Sequence, residues 1–109
     1  MALNVEKIGL DMFNAAFPIL RKRAPTIKAF AQGEFRKIAV QLVTIEGELA
    51  RGRITREQAA ILVEMQKSAS RAVLLSAKGL SLLVVEQALN AALDVVRKAV
   101  NTAVGIKLL

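Results

Sequence analysis

The stretch LARGRITREQ, residues 49–58, carries the side chains of this chain that best suit the binding of an anion. Three arginines, Arg51, Arg53 and Arg56, fall within six positions around a glycine, and Thr55 follows that glycine. Guanidinium groups beside the exposed N–H groups at the start of a helix can hold a phosphate or a carboxylate. The stretch therefore predicts an anion contact at Arg51, Arg53, Thr55 and Arg56. The alternative is that it is only a turn between two helices.

Catalytic chemistry is limited by what the sequence lacks. The chain has no cysteine and no histidine, which removes thiol nucleophiles, imidazole acid–base catalysis and thiolate or imidazole metal ligands. The carboxylates of Glu46 and Glu48 are two positions apart and point in different directions on a helix, so they make a poor acid–base pair. No Gly-rich phosphate loop is present. We expect a non-enzymatic chain with no cofactor, metal or small-molecule substrate.

Apolar residues recur along the whole chain at the spacing of amphipathic helices. The pattern predicts one all-α domain over residues 1–109, with helices at about 3–23, 26–51, 55–78 and 81–105. The clearest seam has separations of 4, 3, 4, 3 and 4 positions, and it comprises Ala31, Phe35, Ile38, Leu42, Ile45 and Leu49.

Glycines and capping residues predict the second and third turns. Gly52 suits the left-handed residue after a helix end, and Thr55 with Gln58 forms the signature of a capping box. The polar stripe changes phase near residues 78–81, where Gly79 can end one helix and Ser81 can cap the next. Short turns join helices that lie antiparallel, which predicts an up-down-up-down four-helix bundle. The alternative has three helices, the last one long and kinked near Gly79.

Prolines predict the first turn. Pro18 should kink the first helix or end it early, since it lacks the N–H group of a helical hydrogen bond. Pro25 disfavours helix at the residue before it, and Thr26 can cap the helix that follows.

The net charge of +7 and the pI near 10.4 raise the question of an anionic partner. The predicted topology divides the cations between two ends of the bundle, so that no single basic face emerges. Many of them are also predicted in last helical turns, where a cation complements the helix dipole. Nucleic acid is therefore the third choice of partner. One end receives Arg21, Lys22, Arg23, Lys28 and Lys78, and the other receives Arg51, Arg53, Arg56 and Lys107.

A membrane partner is the second choice. In the segment MFNAAFPILRKR, Phe13, Phe17 and Leu20 directly precede the cations Arg21, Lys22 and Arg23, a pattern that suits an anionic bilayer or a partner protein. The favoured alternative is that the three apolar side chains face the core. The apolar segment 72–93 contains Lys78, Glu86 and Asn90, which disfavours a simple spanning helix. The first residues lack the uninterrupted apolar run of a signal peptide, so a cytoplasmic location is the expectation.

The first and fourth helices carry wider apolar surfaces than a monomeric bundle needs, which predicts a homo-oligomer or a larger complex. The leading hypothesis is thus a structural or assembly subunit that packs against itself or other protein subunits. The alternatives are a membrane-associated protein, alone or in an oligomeric membrane assembly, and a basic nucleic-acid-binding module. The predicted oligomer interface on the fourth helix comprises Val85, Ala88, Leu89, Ala92, Val96, Ala99 and Ala103.

Overall fold

Four helices pack against each other in the computed structural model, which describes residues 3–24, 26–77 and 79–109 and has no strand among them. They are α1 (Val5–Leu20), α2 (Lys28–Ala50), α3 (Arg56–Leu75) and α4 (Leu82–Val104). The all-α four-helix fold is confirmed. The three-helix alternative is wrong, because the chain leaves helical geometry between α3 and α4. The predictions for Pro25 and Lys78 fall outside the described residues.

α1 makes the two most extensive helix contacts of the bundle, with α4 and with α2. α2 and α4 each pack against all three other helices, whereas α1 and α3 do not adjoin within the described residues. The core is apolar and runs along α1, α2 and α4, with Met12, Leu20, Phe35 and Leu89 almost completely buried. The wide apolar surface predicted on the first helix therefore contacts two neighbouring helices of the same chain.

The second and third turns follow the local rules. The N–H group of Arg53 donates to the carbonyl of Glu48 and that of Gly52 to Leu49, which closes the end of α2 around a left-handed Gly52 at φ 69°. Gly79 is also left-handed, at φ 95°. Ser81 caps α4, since its hydroxyl accepts from the N–H group of the third helical residue, 3.3 Å away.

The first turn differs from its prediction in two ways. α1 ends at Leu20, two residues after Pro18 and three before the predicted end, so Arg21, Lys22 and Arg23 lie just beyond the helix. The predicted cap at Thr26 is wrong: Ile27 is the N-cap residue of α2, and no side chain caps the helix. Burial of the Ile27 side chain in the core positions the start of α2, a tertiary contact that overrides the local capping preference.

Both ends of the bundle are defined by contacts between turns. At one end, the turn at Gly79 approaches the backbone of Arg23. At the other, the N–H group of Leu3 donates to the carboxylate of Glu46 at 3.1 and 3.3 Å, and Glu46 lines a surface hollow together with Arg56 and Gly105. The first and third turns thus share one end, and the second turn shares the other with both termini of the described chain.

Candidate interaction surfaces

The arginines predicted to contact an anion already face a carboxylate. The Nη1 atoms of Arg51 and Arg53 lie 3.7 and 3.6 Å from Oε1 of Glu48, and both arginine side chains are mostly exposed. Such exposed pairs contribute little to stability, but Glu48 reduces the positive potential that an anion would meet. Glu48 lies one helical turn before Arg51, so this pairing was readable from the sequence.

The start of α3 is closed by its own side chains. The Thr55 hydroxyl accepts from the N–H group of Gln58 at 3.1 Å, and the Gln58 side chain accepts from the N–H group of Thr55 at 2.8 Å. The capping box occupies N–H capacity that an anion would otherwise use. Of the four predicted residues, Arg56 is an exposed cation outside every ion pair of the described residues. The structure therefore favours a turn over an anion site here.

The apolar side chains of the predicted membrane surface are directed inward. Phe13 and Leu20 are buried, and Phe17 packs against the core with its ring stacked on that of Phe13, at 4.9 Å between centroids. The three cations of the segment, Arg21, Lys22 and Arg23, are exposed. The cations of this segment therefore lie at the surface, whereas its large apolar side chains pack in or against the core.

The predicted oligomer face on α4 is largely the inner face of the helix. Five of its seven residues are buried within the chain's own core, which corrects their assignment to a partner: Val85, Ala88, Leu89, Ala92 and Val96. Ala99 is exposed and Ala103 is half-buried. α1 covers this face of α4, and the contact between the two helices is the most extensive in the bundle. The inner apolar faces of the first and fourth helices are in this way covered inside one chain, whereas Leu10 of α1 and Leu82, Leu83 and Val95 of α4 stay exposed.

The third helix carries an exposed apolar seam that sequence reasoning missed. Five exposed positions on α3 are separated by 4, 3, 4 and 3 residues, the spacing of a coiled-coil seam. Ile61 and Met65 are its largest members, and 58% and 61% of their respective surfaces are exposed. The 4, 3, 4, 3 spacing of these positions is visible in the sequence, but only the polar stripe of this helix entered its prediction. We call this set the outer α3 face: Ile61, Met65, Ser68, Ala72 and Leu75.

The inner side of α3 is apolar as well, but its residues are small. It buries Ala59, Val63, Ser70 and Leu74, and the Ser70 hydroxyl accepts a hydrogen bond from Gln66 at 3.0 Å. The helix therefore exposes larger apolar side chains than most of those it buries against its own chain. Ile61 and Met65 therefore leave most of their apolar surface outside the packing of the monomer.

A shallow, open depression lies on the outer α3 face and is lined by residues of this helix alone. Its lining includes Ile61, Glu64, Met65 and Ser68, which are at positions i, i+3, i+4 and i+7 of the helix. Four residues at this spacing surround one side chain of a facing helix in knobs-into-holes packing, but any helix surface offers such sets. The depression therefore marks the exposed seam without identifying what covers it.

Within residues 3–24, 26–77 and 79–109, no group of three or more acidic side chains is arranged to hold a metal ion. No helix there combines the length and apolar character needed to cross a membrane. The buried polar side chains Glu34 and Ser70 both have partners, Lys37 at 3.4 Å and Gln66.

Comparison with known proteins gives no relative for this chain: no family model, curated protein or solved structure matches it.

Proposed function

We propose that this chain is a non-enzymatic helical assembly subunit that self-associates through the outer α3 face. The observation that carries the proposal is the exposed seam of Ile61, Met65, Ser68, Ala72 and Leu75, which runs along one side of α3. Exposed apolar groups at this spacing gain free energy when a second helix covers them.

The charges beside the seam favour an antiparallel second copy. The stripe next to it carries Glu57 and Glu64 in the first half of α3 and Arg71 in the second half. When two copies run antiparallel about an axis beside the middle of the helix, Glu64 of each lies next to Arg71 of the other. Ile61 then faces Ala72 of the second copy, and Met65 faces Ser68.

Other arrangements are less complementary. Sliding the antiparallel pair by one heptad in one direction sets Glu64 beside Glu64; Glu57 then lies beside Arg71, but Leu75 extends beyond the second copy of α3. Sliding it in the other direction sets Arg71 beside Arg71, and a parallel pair sets Glu64 near Ala69, which carries no charge. Like charges that face each other at a helix seam are destabilising, so the register that pairs Glu64 with Arg71 over the whole seam is favoured.

Arg71 is already held in place for such a contact. Its Nε donates to the carboxylate of Glu86 on α4, while its Nη groups make no hydrogen bond within the described residues. A guanidinium has five N–H donors, so Arg71 can bind Glu86 and a second carboxylate together. Glu64 is exposed, and its present partner Lys67, 3.4 Å away, is the weak kind of surface pair.

The expected dimer is weak. A helix of 20 residues is about 30 Å long, and a single seam of this length buries less than the ~1,200 Å² of a stable protein interface. We therefore expect dissociation constants in the micromolar to millimolar range, with self-association visible only in concentrated solution.

Sedimentation velocity on charge-reversal variants tests the register. Glu64→Arg and Arg71→Glu should each remain monomeric, because each sets like charges together in the homodimer. An equimolar mixture of the two should form a heterodimer, since the first variant is positive at both positions and the second is negative at both. The double variant within one chain should recover the homodimer.

The matched control is the surface ion pair between Glu6 and Arg36, which joins α1 and α2 away from α3. Reversing either of its charges should leave self-association unchanged. Circular dichroism of each variant separates loss of pairing from loss of fold, which matters for Arg71 because of its contact with Glu86. A wild-type chain that stays monomeric into the millimolar range would refute self-association. A different outcome would separate the surface from the register. If the charge-reversal variants dimerise like the wild type but Ile61→Lys does not, the outer α3 face is the contact surface and the antiparallel register is refuted.

A further inference from the structure

We infer that the end of the bundle formed by the first and third turns is a docking surface for an anionic lipid bilayer. We call it the basic end. It comprises the turn after α1, the start of α2, the end of α3 and the start of α4, which meet where Gly79 approaches the backbone of Arg23. The basic end shares only Leu75 with the outer α3 face, and the inference does not depend on pairing of that face.

The basic end carries cations that no carboxylate neutralises. Arg21, Lys22, Arg23 and Lys28 are exposed, and none of them belongs to an ion pair of the described residues. At the opposite end, by contrast, Arg51 and Arg53 share Glu48. The sequence predicted cations at both ends, but among the described residues two of them share a carboxylate only at the opposite end.

Acidic residues are absent from the chain segments that build this end. No Asp or Glu occurs between residues 12 and 33 or between residues 72 and 85. The nearest carboxylates along the chain all have partners: Asp11 is paired with Lys7, the buried Glu34 with Lys37, and Glu86 with Arg71. The field of the four cations therefore reaches solvent without local compensation.

Exposed apolar side chains accompany the cations. Phe30 lies in the first turn of α2, and Leu82 and Leu83 open α4, with 55% and 68% of their surfaces exposed. Leu75, in the last turn of α3, is exposed on the same end. Four of the nine large apolar side chains that are exposed in the described residues thus lie in these terminal turns.

This mixture selects a bilayer rather than a nucleic acid. Anionic headgroups attract Lys and Arg, and apolar side chains between the cations enter the region just below the headgroups. A nucleic-acid surface would leave Leu82 and Leu83 in water, and it favours aromatic side chains for stacking, of which this end exposes only Phe30 among the described residues. The occupant with both properties is an anionic membrane surface.

Vesicle flotation tests the inference. Wild-type protein should float with phosphatidylcholine vesicles that contain phosphatidylserine, should not float with pure phosphatidylcholine, and should be released by high salt. Replacing Arg21, Lys22 and Arg23 by Gln should weaken partitioning about fivefold for each cation removed. Leu82→Ser with Leu83→Ser should also weaken it, although the charge is unchanged.

Two matched controls separate this end from the rest of the molecule. Arg51→Gln with Arg53→Gln removes two cations at the opposite end, and Val95→Ser removes an exposed apolar side chain of α4; both should float like the wild type. Glu64→Arg should also float, because lipid docking does not require pairing of α3. Absence of flotation at low salt would overturn the inference. An equal loss of flotation in the variant with Arg51→Gln and Arg53→Gln would also overturn it. So would binding of a DNA duplex through the same cations that the two leucine substitutions leave unchanged.

Discussion

A Cβ atom at position 79 would lie 2.6 Å from the carbonyl oxygen of Arg23, so the turn between α3 and α4 closes onto the backbone of the turn after α1. Gly79 also has a φ angle of 95°, which side chains of L-residues rarely adopt. Two separate requirements thus coincide at one glycine, and this contact brings together the segments of the basic end.

We expect Gly79→Ala to destabilise the bundle more than the same change at Gly52. Gly52 is left-handed too, at φ 69°, but nothing lies within 4 Å of its added Cβ, so it loses only the ~1–2 kcal/mol of left-handed strain. At Gly79 the overlap with the Arg23 carbonyl adds to that strain, and backbone atoms give way less easily than a flexible side chain. Gly33→Ala, inside α2 with an open Cβ position, should instead stabilise by ~0.5–1 kcal/mol. Urea unfolding of the three variants measures the order, and equal losses at positions 79 and 52 would contradict the backbone contact.

Thr55→Ala should lower the free energy of unfolding by ~0.5–2 kcal/mol, because it removes the oxygen that accepts from the N–H group of Gln58. Thr44→Ala should instead raise the free energy of unfolding. Thr44 lies on the exposed side of α2, with its hydroxyl bonded to the carbonyl of Val40, and alanine is the better residue within a helix. Thermal unfolding of the two variants compares one substitution in two contexts. A loss at Thr44 as large as the loss at Thr55 would show that capping is not its cause.

Pairing of α3 and docking of the basic end together predict clustering of vesicles. In an antiparallel pair the two basic ends point in opposite directions, so one dimer can contact two bilayers. Wild-type protein at concentrations that give the dimer should therefore increase the turbidity of phosphatidylserine-containing vesicles. Glu64→Arg should bind the same vesicles without clustering them, and its mixture with Arg71→Glu should restore turbidity. Clustering by monomeric Glu64→Arg would contradict this arrangement.

Local signals were sufficient for the helices and for two of the three turns. Gly52 and Gly79 adopt the left-handed conformation expected after a helix end, and Thr55 and Ser81 cap the helices that follow. These features depend on contacts within a few residues, for which side-chain type is a direct guide. At the first turn, the same local signals predicted the wrong cap. Thr26 was expected to cap α2, but Ile27 is the N-cap residue, and its side chain is buried in the core.

The interaction surfaces required the tertiary structure. Val85 and Leu89 of α4 and Ile61 and Met65 of α3 belong to similar seams in the sequence, yet the first pair is buried and the second is exposed. A period of 3 and 4 residues shows that a helix has an apolar face, but it does not identify which helix covers that face. α1 lies between α2 and α4 and covers the α4 face, whereas the outer face of α3 stays uncovered by the described chain.

The sequence by itself determined that this chain is helical, where two of its three turns fall and how the turns are divided between the two ends. The tertiary structure decided which apolar seam is core and which charges meet across helices. The pair of Glu48 and Arg51 lies within one helical turn and is readable from the sequence, whereas Arg71 meets Glu86 only because folding packs α3 against α4. The physical reason is that helix formation and capping are local, whereas burial and electrostatic potential depend on every segment that folding brings together.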